Sequence, residues 1–361
     1  MPVKHIPRPI LIALPILPIV VISILSRFPD FLEIHYAQKF YPLFSAYLRN
    51  FTGIFPFSLG DLLYFMSGVY IIVQIIQLTK NLRNHSLERI KKFKPLIRLW
   101  LFLSCSYIVF YLFWGMNYYR QGITHQLQIK NQPYTQNELK ELCKDLVQNI
   151  NQLRSDTAFD KSLKADKNIM LKDATIAYQH LSKKLPFLQP ADFSLKASWY
   201  NTLGNYGGFL GYYNPFTGEG QINTQCPEFL QPFITCHELA HQLGYASESE
   251  ANFIGFLATT QAENMGMQYS GQLEMYLYAT GKLNRMDSIA AKQLYQQLHP
   301  LVKKDLKDYR NYLIRHETVF LEWTNDVYDF FLRSNNQQTG INSYRDVVGW
   351  VIAYKKQYGI R

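Results

Sequence analysis

The sequence predicts an α+β fold, mainly helical with a small sheet, preceded by three membrane-spanning helices. Three observations carry this. Long apolar runs crowd the first 120 residues, and helical periodicity dominates most of the remaining chain. A glycine-rich stretch between residues 192 and 224 breaks that periodicity into short alternating segments bounded by turn residues.

The apolar runs come first along the chain. Of 361 residues, 48% are hydrophobic and only 18% charged, against roughly 25% charged in an average soluble domain. The deficit is concentrated in Ile10–Ser26, Leu59–Leu78 and Ile97–Trp114, each close to the ~20 residues needed to cross a hydrocarbon core. Lys4 and Arg8 precede the first run as they would in a signal peptide. Arg27-Phe28-Pro29-Asp30 then follows without a small-residue cleavage site, which favours a retained anchor. Residues 1–115 therefore read as a three-helix anchor, and residues 116–361 as one domain outside the cytoplasm.

The formal net charge is +10, and its distribution says why. Lys80, Arg83, Arg89, Lys91, Lys92, Lys94 and Arg98 cluster between the second and third apolar runs, whereas Phe28–Ser58 mixes signs. That is a positive-inside bias, with the N-terminus and the basic loop in the cytoplasm. A basic face interleaved with aromatics is missing, so no nucleic-acid partner is expected. The cysteines, Cys105, Cys143, Cys226 and Cys236, form no CxxC pair. A Cys226–Cys236 disulfide is one reading, and small buried thiols the more ordinary one.

After residue 116, Thr135-Gln136-Asn137-Glu138 fits a capping box ahead of Leu139, Leu142, Leu146, Val147, Ile150 and Leu153 at helical spacing. A second helix over about 168–184 ends before Pro186. Phe193–Trp199 alternates like a strand, and Gly220–Thr224 reads as the last strand of the glycine-rich region. From Ser247 the pattern is helical again. Within the aromatic-rich run from Pro300 to Leu332, Tyr309, Tyr312, Leu313, His316, Val319, Phe320, Trp323, Val327, Phe330 and Phe331 make a stripe that reads as a core helix.

The chemistry centres on His237-Glu238-Leu239-Ala240-His241. On a helix, residues i and i+4 share a face, so both imidazoles can reach one metal ion. Two imidazoles with a carboxylate suit one Zn2+ ion, which lowers the pKa of bound water to ~7. Glu238, next to His237, is the candidate general acid/base. Gly244 supplies a helix C-cap just beyond the motif. Ser247-x-x-Glu250 has capping-box spacing, yet Glu250 is also near enough in sequence to be a third ligand.

Ser247-Glu248-Ser249-Glu250-Ala251-Asn252 resembles the Glu-x-x-Ala-Asp/Asn signature of the gluzincin zinc metallopeptidases. The resemblance implies Glu248 as third metal ligand, Ala251 as a small packing residue, and Asn252 as a partner for a ligand histidine. It also implies that an edge strand, here Gly218–Thr224, pairs with extended substrate. Tyr206, Tyr212, Tyr213 and His316 are the available donors to an oxyanion, and nothing in the sequence ranks them. Three N-terminal apolar helices, Pro56-Phe57-Ser58-Leu59-Gly60-Asp61, the HELAHQLG stretch and Asn335-Asn336-Gln337-x-x-Gly340-x-x-Ser343-Tyr344 resemble a bacterial family of membrane-anchored HExxH proteins of unknown function.

The expectation is a gluzincin-like zinc metallopeptidase domain on the periplasmic or extracellular side of the bacterial inner membrane, held by a multi-pass anchor. Its partners would be the lipid bilayer and a peptide or protein substrate near it. The alternative is a zinc-binding membrane sensor or assembly factor without efficient proteolysis.

Overall fold

A computed structural model of the chain describes residues 13, 15–84, 88, 92–129, 133–163, 166–190, 192–337, 340 and 347–359. In chain order the longer helices begin with α1 (Ile16–Leu25). A continuous helical run begins at Pro29, is π-helical over Leu32–Phe40, and ends in α2 (Tyr41–Gly53). Then come α3 (Leu59–Arg83), α4 (Lys94–Phe113), α5 (Gln136–Ser155) and α6 (Lys167–Lys184). The sheet region comprises β1 (Leu195–Ala197), α7 (Asn201–Gly207), β2 (Gly211–Asn214) and β3 (Glu219–Ile222). After it come α8 (Gln231–Gln242), α9 (Glu248–Thr260), α10 (Met265–Met286) and α11 (Ser288–Gln296). The last helices are α12 (Pro300–His316), α13 (Val319–Ser334) and α14 (Val347–Tyr358).

Among the described residues two helices, not the three expected, are long and apolar enough to cross a membrane. α3 has 25 residues and α4 has 20, or about 37 and 30 Å at 1.5 Å per residue. α1 has only 10 described residues, about half the length a bilayer core requires. Residues 10–12 and 14 of that expected span lie outside the described residues, as do Arg89 and Lys91 of the basic loop.

The segment expected as a loop between the first two spans is helical and built into the domain. Tyr41, Ser45, Arg49 and Thr52 form the buried side of α2, and Tyr41 and Arg49 reach the end of α8 while Thr52 reaches the connection between β2 and β3. Arg49 Nη1 donates to the Gln242 carbonyl at 3.2 Å, and Thr52 Oγ1 to the Thr217 carbonyl at 3.0 Å. The Ser58–Asp61 motif has a similar task. Ser58 caps α3, whose first backbone N–H groups, from Leu59 and Gly60, hold the buried Glu219 carboxylate at 3.3 and 2.7 Å. A helix N-terminus suits that anion. Asp61 in turn accepts from the Trp199 N–H at 2.7 Å.

The main core lies among α5, α6, α8, α9, α10 and α14. The predicted capping box at Thr135 and Glu138 is formed in both directions. Leu139, Leu142, Leu146, Val147 and Ile150 are buried behind it. Cys143, Cys226 and Cys236 are free, buried thiols.

The sheet has the order β1-β3-β2, with β1 parallel and β2 antiparallel to β3. This corrects the expected substrate strand. β3 is the centre of the sheet and both of its edges are taken, so the outer strand nearest α8, the helix carrying His237 and His241, is β2. The aromatic run after Pro300 is corrected as well. It breaks at Glu317, Thr318 caps α13 by accepting from the Leu321 N–H, and within α13 Val319, Phe320, Trp323, Val327 and Phe330 of the stripe are exposed while Phe331 turns inward.

Candidate metal centre

Every residue of α8 is buried, so the polar side chains of the motif are held where water is scarce. His237 and His241 stand one turn apart, with ring centroids 4.7 Å and Nε2 atoms 3.1 Å from one another. The chain then turns at Gly244, whose φ of 85° suits glycine, and enters α9 at Glu248. Glu248 Oε2 lies 3.2 Å from His237 Nε2 and 3.7 Å from His241 Nε2.

These three atoms form a group that could hold a metal ion. The distances fit. Ligands about 2.1 Å from a tetrahedral centre lie about 3.4 Å from each other, and 3.1, 3.2 and 3.7 Å bracket that edge. The remaining polar atoms of the ligands are engaged elsewhere. His237 Nδ1 meets Asn252 Oδ1 at 2.8 Å and His241 Nδ1 meets the Tyr245 carbonyl at 2.7 Å. Both partners are acceptors, which puts the ring protons on Nδ1 and leaves the Nε2 lone pairs facing one point. Glu248 Oε1 accepts from the Tyr328 hydroxyl at 2.5 Å, and the Glu248 N–H donates to Gln337 Oε1 at 3.3 Å.

Burial alone would lower the His241 imidazole, but the adjacent Glu248 carboxylate lifts it to about 9. Burial would raise Glu248, and the two imidazoles instead hold it well below the usual carboxylate range. Glu238 has no such compensation. Burial pushes its carboxyl up to about 7, against the pull of His237 and His241. Its Oε2 is buried and has no hydrogen-bond partner among the described residues. A carboxylate orphaned in this way is costly unless something arrives to bond it.

Glu250, the other candidate ligand, is directed away. It accepts from the Ile123 N–H at 2.6 Å and from the Ser247 backbone, with Arg120 nearby. It therefore makes half of the capping box its spacing predicted, and Glu248 completes the metal group.

A cavity of about 670 Å³ opens over the group, lined by His237, Glu238, His241, Glu248 and Asn252, with β2 along one side. That volume is within the range of ligand sites, ~300–1,000 Å³. Gly211 of β2 crosses close above Glu238, since a Cβ there would lie 2.5 Å from Glu238 Oε1. Of the possible oxyanion donors, Tyr212 and Tyr213 line the cavity, but their hydroxyls are committed. Tyr212 donates to Asp61 at 2.6 Å and Tyr213 pairs with Tyr41 at 3.2 Å. Tyr206 and His316 pack on each other, centroids 5.1 Å apart, and are not among the cavity's walls.

Sequence reasoning missed Tyr328, Tyr278 and Glu274, all of which line the cavity. Tyr328 was hidden within an aromatic stripe. It also missed how the C-terminal carbonyls of α8 are satisfied. The His241 carbonyl accepts from Trp114 Nε1 at 3.2 Å, and the Gln242 carbonyl from the Tyr41 hydroxyl at 3.1 Å. No local spacing signals contacts across more than a hundred residues.

Residues 36–352 match the family described as a protein of unknown function, DUF3810. The chain belongs to the DUF3810 family. The DUF3810 match begins ahead of α2 and ends within α14, so it takes in both apolar helices, the sheet and the metal group. No curated protein and no solved structure matches the chain.

Proposed function

We propose that this chain is a membrane-anchored zinc peptidase of gluzincin type, in which His237, His241 and Glu248 hold one zinc ion and Glu238 is the general acid/base. One observation carries the reading. Three ligand atoms converge within 3.7 Å while the other polar atoms of their side chains are bonded elsewhere, and an unpartnered carboxylate oxygen of Glu238 stands in the same cavity wall.

When bound, zinc would supply Lewis acidity, polarising a scissile carbonyl and lowering the pKa of water toward ~7. Glu238 takes the proton from water as the water oxygen adds to the carbonyl carbon. It then gives that proton to the amide nitrogen as the C–N bond breaks, producing an acid and an amine. Asn252 and the Tyr245 carbonyl keep the imidazoles in the tautomer that faces the site, and Tyr328 steadies Glu248. The outer edge of β2 runs beside the cavity and suits an extended peptide added as a further strand.

The substrate is a peptide or protein at the membrane surface. The domain holds both the start of α3, through Gly60 and Asp61, and the end of α4, through Trp114. The opposite ends of those helices, at Arg83 and Lys94, therefore lie away from the domain. Lys80, Arg83, Lys92 and Lys94 cluster at those ends, which supports placing them in the cytoplasm and the domain on the opposite side of the bacterial inner membrane.

The test is metal content together with peptide cleavage by the purified full chain. One zinc per chain is expected, lost in His237→Ala. Glu238→Gln should keep the zinc and reduce cleavage of a quenched fluorescent peptide library to background. A chain that binds no metal, or a Glu238→Gln variant that cuts as well as the parent, would rule the reading out.

A further inference from the structure

We propose that the outward faces of α2 and α13 dock into the headgroup layer of a lipid bilayer, on the leaflet where α3 begins and α4 ends, and so seat the metal cavity at the membrane surface. This inference does not depend on the metal reading.

α13 has three distinct sides. Leu321, Thr324, Tyr328 and Phe331 face inward, with Tyr328 and Phe331 lining the cavity and Thr324 donating to the Gly207 carbonyl at 3.0 Å. Glu322, Asp326 and Arg333 make an exposed polar side. Between these runs an apolar stripe at i, i+4, i+8 and i+11. Its members are exposed: Val319 80%, Trp323 59%, Val327 49% and Phe330 74%. α2 repeats the spacing opposite its buried side, with Leu43 77%, Tyr47 76%, Phe51 58% and, just past its end, Ile54 76% exposed. Two such stripes in water would be an aggregation liability. An apolar stripe beside a polar one, rich in Trp, Tyr and Phe, is the pattern of a helix lying in a membrane interface.

The occupant is lipid because each of the two helices abuts the apolar helix α4 right beside its exposed stripe. Phe331 of α13 packs on Phe110 of α4 with centroids 6.2 Å apart. On the other side, Phe40 stacks on Phe44 at 5.5 Å, and Phe44 meets Phe113 of α4 at 4.4 Å. The helices they join are themselves bare, with Phe65 60% and Leu103 54% exposed. The depth agrees. Tyr64 and Phe110 line the metal cavity from within α3 and α4, only about 7 and 4 Å from the helix ends at 1.5 Å per residue. The cavity therefore reaches the level at which the spans enter the bilayer.

The test uses the full chain with Cys105→Ser, in nanodiscs of phosphatidylethanolamine and phosphatidylglycerol. Single cysteines replace Leu43, Tyr47, Trp323 or Phe330, with Glu322 and Asp326 as polar-side controls. Each carries a nitroxide whose exposure to oxygen and to a water-soluble nickel chelate is read by power saturation. Stripe labels should show a severalfold higher oxygen-to-nickel ratio than the controls. Labels as nickel-accessible as the controls would overturn the proposal. Labels shielded from both reagents would overturn it too, because they would point to a protein partner or a second copy. A second measurement leaves the stripe intact: lipids brominated in the acyl chain should quench the emission that is lost in Trp323→Phe. Absence of quenching in that difference would also overturn it.

Discussion

Glu248 and Glu250 stand two positions apart on one helix, so they project to nearly opposite sides of it. Glu248 meets two imidazoles, while Glu250 meets the Ile123 N–H and the neighbourhood of Arg120. Their amide variants should therefore fail differently. Glu248→Gln is expected to bind much less than one zinc per chain by mass spectrometry of the native protein. Glu250→Gln should retain the zinc and melt at a lower temperature, since a buried acceptor of two backbone N–H groups is weakened. Loss of zinc in Glu250→Gln with retention in Glu248→Gln would reverse the assignment.

At the scale of elements, the relation between β2 and α8 governs access to Glu238. β2 passes so near that a Cβ on Gly211 would stand 2.5 Å from Glu238 Oε1 and 2.7 Å from Ile234 Cγ2. Gly211→Ala must push the strand or the carboxylate aside. We expect peptide cleavage to fall at least about tenfold, corresponding to a displacement worth only ~1.4 kcal/mol, with zinc content unchanged. Unchanged cleavage rates would mean that the strand does not constrain the base. α8 also owes its C-terminal end to distant elements: Trp114 joins the Gly244 N–H on the His241 carbonyl, and Tyr41 and Arg49 occupy the Gln242 carbonyl beyond it.

For the molecule as a whole, that capping means the first 115 residues are more than a tether. A chain beginning at residue 116 lacks Tyr41, Arg49, Glu33 and Trp114, exposing the end of α8 and leaving Arg120 without its carboxylate. It is expected to aggregate or to lose cooperative melting, whereas a detachable domain would stay monomeric with a sharp transition. The Glu33–Arg120 pair adds a pH dependence. Its closest atoms are 2.8 Å apart and both side chains are buried. Burial by itself would raise the Glu33 carboxyl, but the Arg120 hydrogen bond and charge outweigh it and hold the group below its usual value. The stabilisation is therefore complete above the unfolded pKa of ~4.3 and is lost as pH falls through the lower folded value. Glu33→Gln should melt lower than the parent at neutral pH, and the gap should narrow in acid. A constant gap would show that the pair does not titrate with folding.

Local spacing and cap chemistry made much of this legible before any fold was known. The i, i+4 histidines, the capping box at Thr135, the glycine turn at 244 and two long apolar helices are short-range patterns, and one helix or turn is enough to express them. The α13 stripe was also legible as a stripe, but periodicity reports only that one face is apolar. Whether protein or lipid covers that face depends on what packs against it, so a core reading had the same spacing as the exposed one.

The sequence alone supplied the helix with its i, i+4 histidines, a candidate set of ligand and proton-transfer residues, and the mainly helical frame with its small sheet. The tertiary structure alone decided that Glu248 rather than Glu250 meets the histidines. It alone decided that β3 is central and β2 is the edge, and that Tyr328, Trp114, Tyr41 and Arg49 converge on the site. The physical reason is range. Helix periods and caps are set by neighbours within a few residues, whereas sheet order and side-chain convergence join positions tens to hundreds of residues apart, through packing that no local pattern encodes.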